Sequence, residues 1–430
     1  MLSKLHVHNY LCIYDMSLDL SFNKRAPVGY QESPNLYFID CKSKRLKNSR
    51  IVPIFGVYGS NGSGKSTVLR TINILKFIVE YGHVKGLFSP NRIVDNPLNK
   101  DDSLYSEISV EFFKNDTKFN YTIRFDESKI VFEKLDVNEE CLFKISNSKL
   151  QFCFDTVESV ALEFNNRCLN AISNYQIKTF LFEISSALPG LDPRLILAKT
   201  YICDDLIFIL SNNKSGYIKG IKSLADTFDN KTEEDNFKAA VSMILDYLRR
   251  LDIGIDNIKI VDSTVNQSLG NQEIGTVNMT VNDPLGSIYD LKTIHKTVND
   301  KEVIFDIQYE SAGTKIIIGL LGEILAAIRS GKTVFIDEID MSLHSFLVRE
   351  IVRIFKSKRI NENEAQLIFT AHNPEILDIM NENELGIIIY QKSKGSRIAR
   401  ISDYSSIKKD HSLKDAYMNG ELGGIPFPYV

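Results

Sequence analysis

Gly59-Ser60-Asn61-Gly62-Ser63-Gly64-Lys65-Ser66 decides the reading of this chain. The octapeptide satisfies G-x-x-x-x-G-K-[ST] in full. Before it runs a continuous apolar stretch, residues 51–58. After it Val68, Leu69, Ile72, Leu75, Ile78 and Val79 recur at helical spacing. Strand, glycine loop and helix is the setting such a loop requires. Glycines let the backbone close on phosphate oxygens, while successive N–H groups and the positive end of the helix hold the anion. The pattern therefore implies a nucleoside triphosphate such as ATP held by Gly59 to Ser66 and the adjoining Thr67. In it Lys65 reaches the β/γ-phosphates and Ser66 ligates Mg²⁺.

The other half of such a site stands in Thr333-Val334-Phe335-Ile336-Asp337-Glu338. An apolar strand ending in Asp-Glu places Asp337 beside the metal, and Glu338 polarises the attacking water. Alone, two carboxylates at a strand end also describe a solvated terminus. Joined to the phosphate loop, they read as catalytic. His372, in Phe369-Thr370-Ala371-His372-Asn373, follows the next strand, where an imidazole can donate to the γ-phosphate. Glu310-Ser311-Ala312-Gly313-Thr314-Lys315 opens a helix and offers a hydroxyl, a glycine and a helix N-terminus, a second anion site.

Working outward, residues 5–8 and 16–20 alternate as strands, and 105–135 alternate again as an antiparallel meander. From about 155 to 250 the pattern turns helical, and Phe180, Leu181, Phe182 and Leu206, Ile207, Phe208, Ile209, Leu210 are candidates to pack on that arm's helices or on another subunit. The last third returns to α/β: helix 314–329, strand 333–336, helix 342–356, strand 366–370, a short helix after Pro374 and strand 385–390. The expected division is 1–153 for the first half of an ATPase head, 154–250 for a helical insertion, and 251–430 for the second half.

The 430 residues carry 51 basic and 55 acidic side chains, a net charge of −4, so total charge gives no attraction to nucleic acid or membranes. DNA contact would need a local patch, such as Lys42, Lys44, Arg45, Lys47 and Arg50, or Lys356, Lys358 and Arg359. Six cysteines without CxxC spacing read as free thiols, and the longest greasy stretch, 316–328, is short and interrupted by Glu323. A soluble cytoplasmic protein with no membrane contact is expected.

The order of phosphate loop, distant Ser-x-Gly helix, Asp-Glu, then strand and His resembles the nucleotide-binding domain of ABC-type ATPases, in the SMC/RecF-like branch. Asp337-Glu338-Ile339-Asp340-Met341-Ser342-Leu343-His344 is similar to a Walker B plus D-loop, with Asp340 in that loop and His344 where transporters carry Asp. Within the branch the chain resembles the RloA/AbiLi-type ATPases of bacterial phage-defence and abortive-infection operons. This likeness runs through Asn9-Tyr10, Leu251-Asp252-Ile253-Gly254-Ile255, His295 and the closing Tyr417-Met418-Asn419-Gly420-Glu421-Leu422-Gly423-Gly424-Ile425-Pro426. Leu11 departs from it, standing where relatives carry Arg.

The resemblance implies an α/β ABC-type P-loop head with a mixed or parallel sheet, an antiparallel N-terminal meander and an inserted helical arm. It implies an ATPase making ADP and phosphate, and a homodimer or higher homo-oligomer with ATP at the interface. In that arrangement Ser311, Gly313 and Lys315 of one copy close over ATP held by Lys65 of another. It further implies a separately encoded effector, a nuclease or toxin, because no nuclease motif fits inside the chain. The competing reading is a repair ATPase that clamps DNA directly.

Overall fold

The computed structural model describes residues 1–21, 39–40, 50–84, 105–126, 129–146, 149–152, 179–183, 192–210, 216–227, 233–250, 254–262, 281–282, 288–341, 343–391, 394–404 and 412–425. The chain runs β1 (Leu2–Tyr10), β2 (Ile13–Asp19), β3 (Ile39–Asp40), β4 (Arg50–Ile51), β5 (Ile54–Tyr58), α1 (Lys65–Tyr81), β6 (Ser106–Lys114), β7 (Thr117–Phe125), β8 (Ile130–Val137), β9 (Glu140–Ser146), β10 (Lys149–Phe152), α2 (Phe180–Glu183), α3 (Pro193–Thr200) and β11 (Leu206–Leu210). Then come α4 (Gly216–Ala225), α5 (Glu233–Arg250), β12 (Asn257–Asp262), β13 (Val281–Asn282), β14 (Ile288–Lys296), β15 (Glu302–Asp306) and α6 (Ala312–Arg329). The last stretch is β16 (Thr333–Asp337), α7 (Ser345–Lys356), β17 (Gln366–Thr370), β18 (Leu385–Gln391), β19 (Gly395–Arg400) and α8 (Leu413–Met418).

These elements form two compact units: Met1–Phe208 with Gly331–Glu338 and Ile351–Val430, and Ile209–Ser330 with Ile339–Glu350. The helical stretch expected at 154–250 does not gather as one body. Helices α2 and α3 belong to the first unit, α4 and α5 to the second. Of the two basic runs, Lys42, Lys44, Arg45 and Lys47 lie outside the described residues.

In the first unit, seven strands make an antiparallel sheet in the order β10-β9-β8-β7-β6-β1-β2. Alternation builds it: Ile108, Val110 and Phe112 are buried while Glu107, Ser109 and Glu111 between them are not. A six-stranded sheet has the order β11-β16-β17-β5-β18-β19, and β16, β17, β5 and β18 are parallel. Its central strands are continuous apolar runs, as strands covered on both faces must be. Pro53 breaks the run read at 51–58 into β4 and β5, having no N–H to give a ladder. One core gathers the meander's inner face, the buried stripe of α1 (Val68, Leu69, Ile72, Leu75) and Phe335, Ile368 and Ile388. Gln366 ties the sheets together within it: its side chain accepts from Leu2 N–H (2.9 Å) and donates to the Leu2 and Val52 carbonyls (3.0 and 3.1 Å).

Leu206 to Leu210 are a correction to the reading of the arm as helical. They form β11, the strand beside β16, with Phe208 stacked on Phe335 at 4.7 Å. A five-residue apolar run is the case where periodicity cannot separate a buried strand from a helix segment.

Glu133 of β8 is 1% exposed and accepts hydrogen bonds from the N–H groups of Phe180 (2.7 Å) and Leu181 (3.2 Å) and from the Tyr121 hydroxyl (2.9 Å). Burial pushes its carboxyl up to about 7, against the pull of those donors. A folded-state value above the unfolded one means the native state holds the extra proton. Stability is then fullest below the unfolded value and declines as pH rises to about 7, by up to about 1.4 kcal/mol per unit. Unfolding curves from pH 5 to 8 are expected to show this slope in the wild type and to lose it in Glu133→Gln. An unchanged slope would refute the assignment.

In the second unit, β12, β14 and β13 lie side by side with β15 on β14, all antiparallel, a sheet the sequence reading did not place. Ile221, Leu224, Ile244, Leu248, Ile318, Leu321 and Leu325 make its helical core. Helices α4 and α6 meet backbone to backbone: a Cβ on Gly220 would lie 2.2 Å from the Gly319 carbonyl oxygen, and one on Gly322 2.3 Å from the Gly220 carbonyl carbon. No helix among the described residues is long and apolar enough to cross a membrane, which says nothing of spanning by strands.

Candidate functional site

The loop between β5 and α1 is held where glycine is needed. Gly64, the residue before α1, has φ 103°, and a Cβ there would sit 2.7 Å from Ser396 Oγ and 2.9 Å from Cys12 Sγ. A Cβ on Gly59 would lie 2.4 Å from the Ile388 carbonyl oxygen. Ser60 is partly buried, Asn61 and Gly62 are exposed at the tip, and Ser66 and Thr67 are partly buried in the first turn of α1. Lys65 is 5% exposed and folds its ammonium back onto the loop, donating to the carbonyls of Gly59 (2.8 Å) and Ser60 (3.0 Å). The hydroxyl of Ser63, 1% exposed, has no hydrogen-bond partner among the described residues. A buried cation and an unpartnered hydroxyl inside a curled loop are what an incoming anion would engage.

Opposite the loop, β16 delivers the carboxylates. The Ser66 hydroxyl donates to Asp337 Oδ1 (3.1 Å), which also accepts from the Thr370 hydroxyl (2.6 Å). Thr370 Oγ1 in turn accepts the Glu338 N–H (2.7 Å). Glu338 leaves the strand with φ 51°, a left-handed conformation costing about 1 kcal/mol or more for a non-glycine residue. The Thr370 bond holds that turn. Glu338 and His372 are each 38% exposed, with Oε1 and Nε2 4.0 Å apart.

The loop, Asp337, Glu338 and His372, far apart in sequence, are thus brought together in the first unit. Parallel pairing of β16 with β17, in which Ile336 stands beside Phe369, does this. Ser66 and Asp337 are a hydroxyl and a carboxylate already within reach of one another, a hard-oxygen pair suited to Mg²⁺, which takes few protein ligands and completes its shell with water and phosphate oxygens. No group of three metal-ligating His, Cys, Asp or Glu occurs among the described residues. Thr370 was missed as a functional residue. The available signal was a hydroxyl closing the strand that precedes His372.

The second unit holds the remaining candidates. Ser311 caps α6, its Oγ accepting from Thr314 N–H (3.0 Å) and pairing with the Thr314 hydroxyl (2.8 Å). A Cβ on Gly313 would meet nothing closer than Ser311 Oγ at 3.7 Å. Lys315 donates to the Gln308 carbonyl (2.7 Å). Before the cap, Glu310 is bonded by the Thr293 hydroxyl and lies 2.6 Å from His295 Nε2. Asp340 is partly buried and His344 exposed; His344 Nδ1 accepts from Phe346 N–H (3.2 Å) at the start of α7, a capping bond an Asp there would also make.

Over residues 54–156 and 180–378, more than half of the chain, the sequence matches a family model described as "AAA domain, putative AbiEii toxin, Type IV TA system". No curated protein matches it. Among solved structures the chain is similar to an SMC head bound to the C-winged helix domain of ScpA (14% identity, 97% of this chain and 99% of that one, TM-score 0.46). It is also similar to the SMC head domain from Thermotoga maritima (11%, 93% and 98%, 0.42). A third is the Smc head domain with an extended coiled coil bound to the C-terminal domain of ScpA, from Pyrococcus furiosus (12%, 98% and 98%, 0.45).

Proposed function

The chain belongs to the AAA-domain family described as putative AbiEii toxins of type IV toxin–antitoxin systems, and from that premise we propose that it is an ATPase closing around ATP as a homodimer or larger homo-oligomer. Its fold, α/β with antiparallel and mixed sheets, is that of an ABC-type P-loop NTPase head. The observation that carries the proposal is the Ser66–Asp337 contact at 3.1 Å, which puts the glycine loop and the carboxylate-ended strand in one site.

In this reading the 59–67 loop holds the phosphates, with the Lys65 ammonium moving from the Gly59 and Ser60 carbonyls to phosphate oxygens. Ser66 and Asp337 hold Mg²⁺, which neutralises phosphate charge when bound. Glu338 takes the proton of the attacking water, and His372 donates to the γ-phosphate. Ser311, Gly313 and Lys315 of a second copy close the site, Asp340 and His344 lie in the loop that follows the carboxylates, and hydrolysis removes the ligand that joins the copies. Purified protein is expected to release phosphate from ATP with Mg²⁺, and Lys65→Ala to abolish release. Equal release by both would contradict the proposal.

Gly313 supports closure by another copy, since among the described residues a Cβ there would meet only Ser311 Oγ, at an ordinary contact distance of 3.7 Å. Gly313→Ala is expected to leave thermal stability unchanged or raised by up to about 1 kcal/mol. ATP-driven association should weaken about tenfold, the effect of about 1.4 kcal/mol of steric misfit at a packed contact. Association equal to wild type, measured by sedimentation, would refute the role of Gly313.

The biological role proposed is that of the RloA/AbiLi-type ATPases: a sensor or scaffold, in the cytoplasm, controlling a separately encoded nuclease or toxin during phage infection. A stable ATP-dependent complex with the product of a neighbouring gene tests it. Salt-sensitive, ATP-stimulated duplex binding without such a complex would instead favour the DNA clamp.

A further inference from the structure

Two side chains on one face of β14 grip a carboxylate immediately before α6. Thr293 and His295 are two residues apart on the strand, so they project from the same side of it. The strand is itself pinned, with Thr293 paired to Ile258 of β12 on one side and Phe305 of β15 on the other. The Thr293 hydroxyl, on a residue 0% exposed, donates to Glu310 Oε1, and His295 Nε2 lies 2.6 Å from the same oxygen. A carboxylate only accepts, so the partner assigns the ring's proton to Nε2. Phe305 meets the imidazole at 5.1 Å and 88°, which fixes the plane of that ring.

Glu310 directly precedes Ser311, the cap of α6. Ser311 accepts the N–H of Thr314 on its Oγ (3.0 Å) and that of Lys315 on its carbonyl (3.1 Å), which leaves those of Ala312 and Gly313 without a partner among the described residues. Such a helix start draws anions. Glu310 is itself an anion one residue before it. Unrestrained, its carboxylate would repel an arriving phosphate and compete with it for the same N–H groups. We infer that Thr293 and His295 are positioning residues: they hold the Glu310 charge against β14 and so keep the α6 start open to the triphosphate bound by another copy. The inference rests on the closure by a second copy proposed above and extends it to a strand outside every nucleotide motif. His295 is the member that can be changed alone, because its side chain is 26% exposed whereas Thr293 is wholly buried in the sheet.

The test uses the full chain carrying Glu338→Gln as the parent, so that ATP is not consumed. Into it go His295→Ala, Glu310→Gln and the two together. Association with ATP and Mg²⁺ is followed by sedimentation, and a fluorescent ATP analogue is titrated at dilutions where the protein is a single copy. His295→Ala is expected to weaken association about tenfold, the effect of losing one hydrogen bond to a charged group, with affinity for the analogue within about twofold of the parent. Adding Glu310→Gln should return association to the level of Glu310→Gln alone, because an amide carries no charge to repel the phosphate. A merely structural role would not give that recovery. Association of His295→Ala equal to the parent would overturn the inference, as would a loss that Glu310→Gln leaves unrelieved. A parent that binds the analogue yet stays a single copy with ATP would overturn closure by a second copy, and this inference with it.

Discussion

Glu338→Gln should bind ATP as tightly as the wild type and hydrolyse it 10²- to 10⁴-fold more slowly, the range that general-base groups contribute. The geometry separates the two effects. Asp337, not Glu338, accepts from Ser66 and Thr370, so the region that would hold Mg²⁺ and phosphate keeps its groups. Glu338 uses its backbone N–H to bond Thr370 and leaves its side chain 38% exposed and facing His372, where water and the terminal phosphate would lie. Glutamine has the same size, adopts φ 51° at similar cost, and lacks the basic oxygen. Interactions with water matter in the transition state and not in the bound ground state, so affinity should change by less than about twofold. Phosphate release and filter binding on the same preparation separate the outcomes. Turnover within about tenfold of wild type would remove Glu338 from the chemistry, and loss of binding would mean that it holds the nucleotide.

Gly322→Ala is expected to destabilise the second unit strongly. Its Cβ would fall 2.3 Å from the carbonyl carbon and 2.5 Å from the carbonyl oxygen of Gly220, and backbone cannot rotate away as a side chain can. Helices α4 and α6 must separate, loosening Ile221, Leu224, Ile318, Leu321 and Leu325 together. Overpacking of this kind costs about 3 kcal/mol, against about 1 kcal/mol gained in helix propensity. Net destabilisation of about 2 kcal/mol should lower the unit's melting temperature by roughly 4–8 °C. Amide exchange of α4 and α6 should rise together. Gly313→Ala, near the start of the same helix where the added methyl would make only an ordinary contact with Ser311 Oγ at 3.7 Å, should show no loss. If both behaved alike, helix propensity rather than the α4–α6 contact would govern the result.

What was legible in the sequence was local and periodic. Strand 366–370 and the helix after the glycine loop are found where their spacing puts them, because an uninterrupted apolar run or a 3.6-residue repeat carries its own period. The phosphate loop and Asp337-Glu338 carry their chemistry in residue type and order, and the loop and carboxylates do meet. The start of α7 was less legible: the helix read from 342 begins at Ser345, with His344 as its cap. What could not be read depends on contacts between distant segments. Leu206 to Leu210 are a strand because β16 offers an edge to pair with, and nothing within five apolar residues says so. Thr370 matters because parallel register sets it beside Asp337 and Glu338. Strands β12 to β15 were missed in a stretch where polar and apolar residues mix without a clean period.

The central claim is that ATP joins copies of this chain. The most direct measurement is particle mass of Glu338→Gln, with and without ATP and Mg²⁺. Trapped before hydrolysis, the variant should at least double its mass when ATP is added and return to the starting mass when ATP is withdrawn or Lys65→Ala is combined with it. A single-copy mass in every nucleotide state, with ATP demonstrably bound, would contradict it.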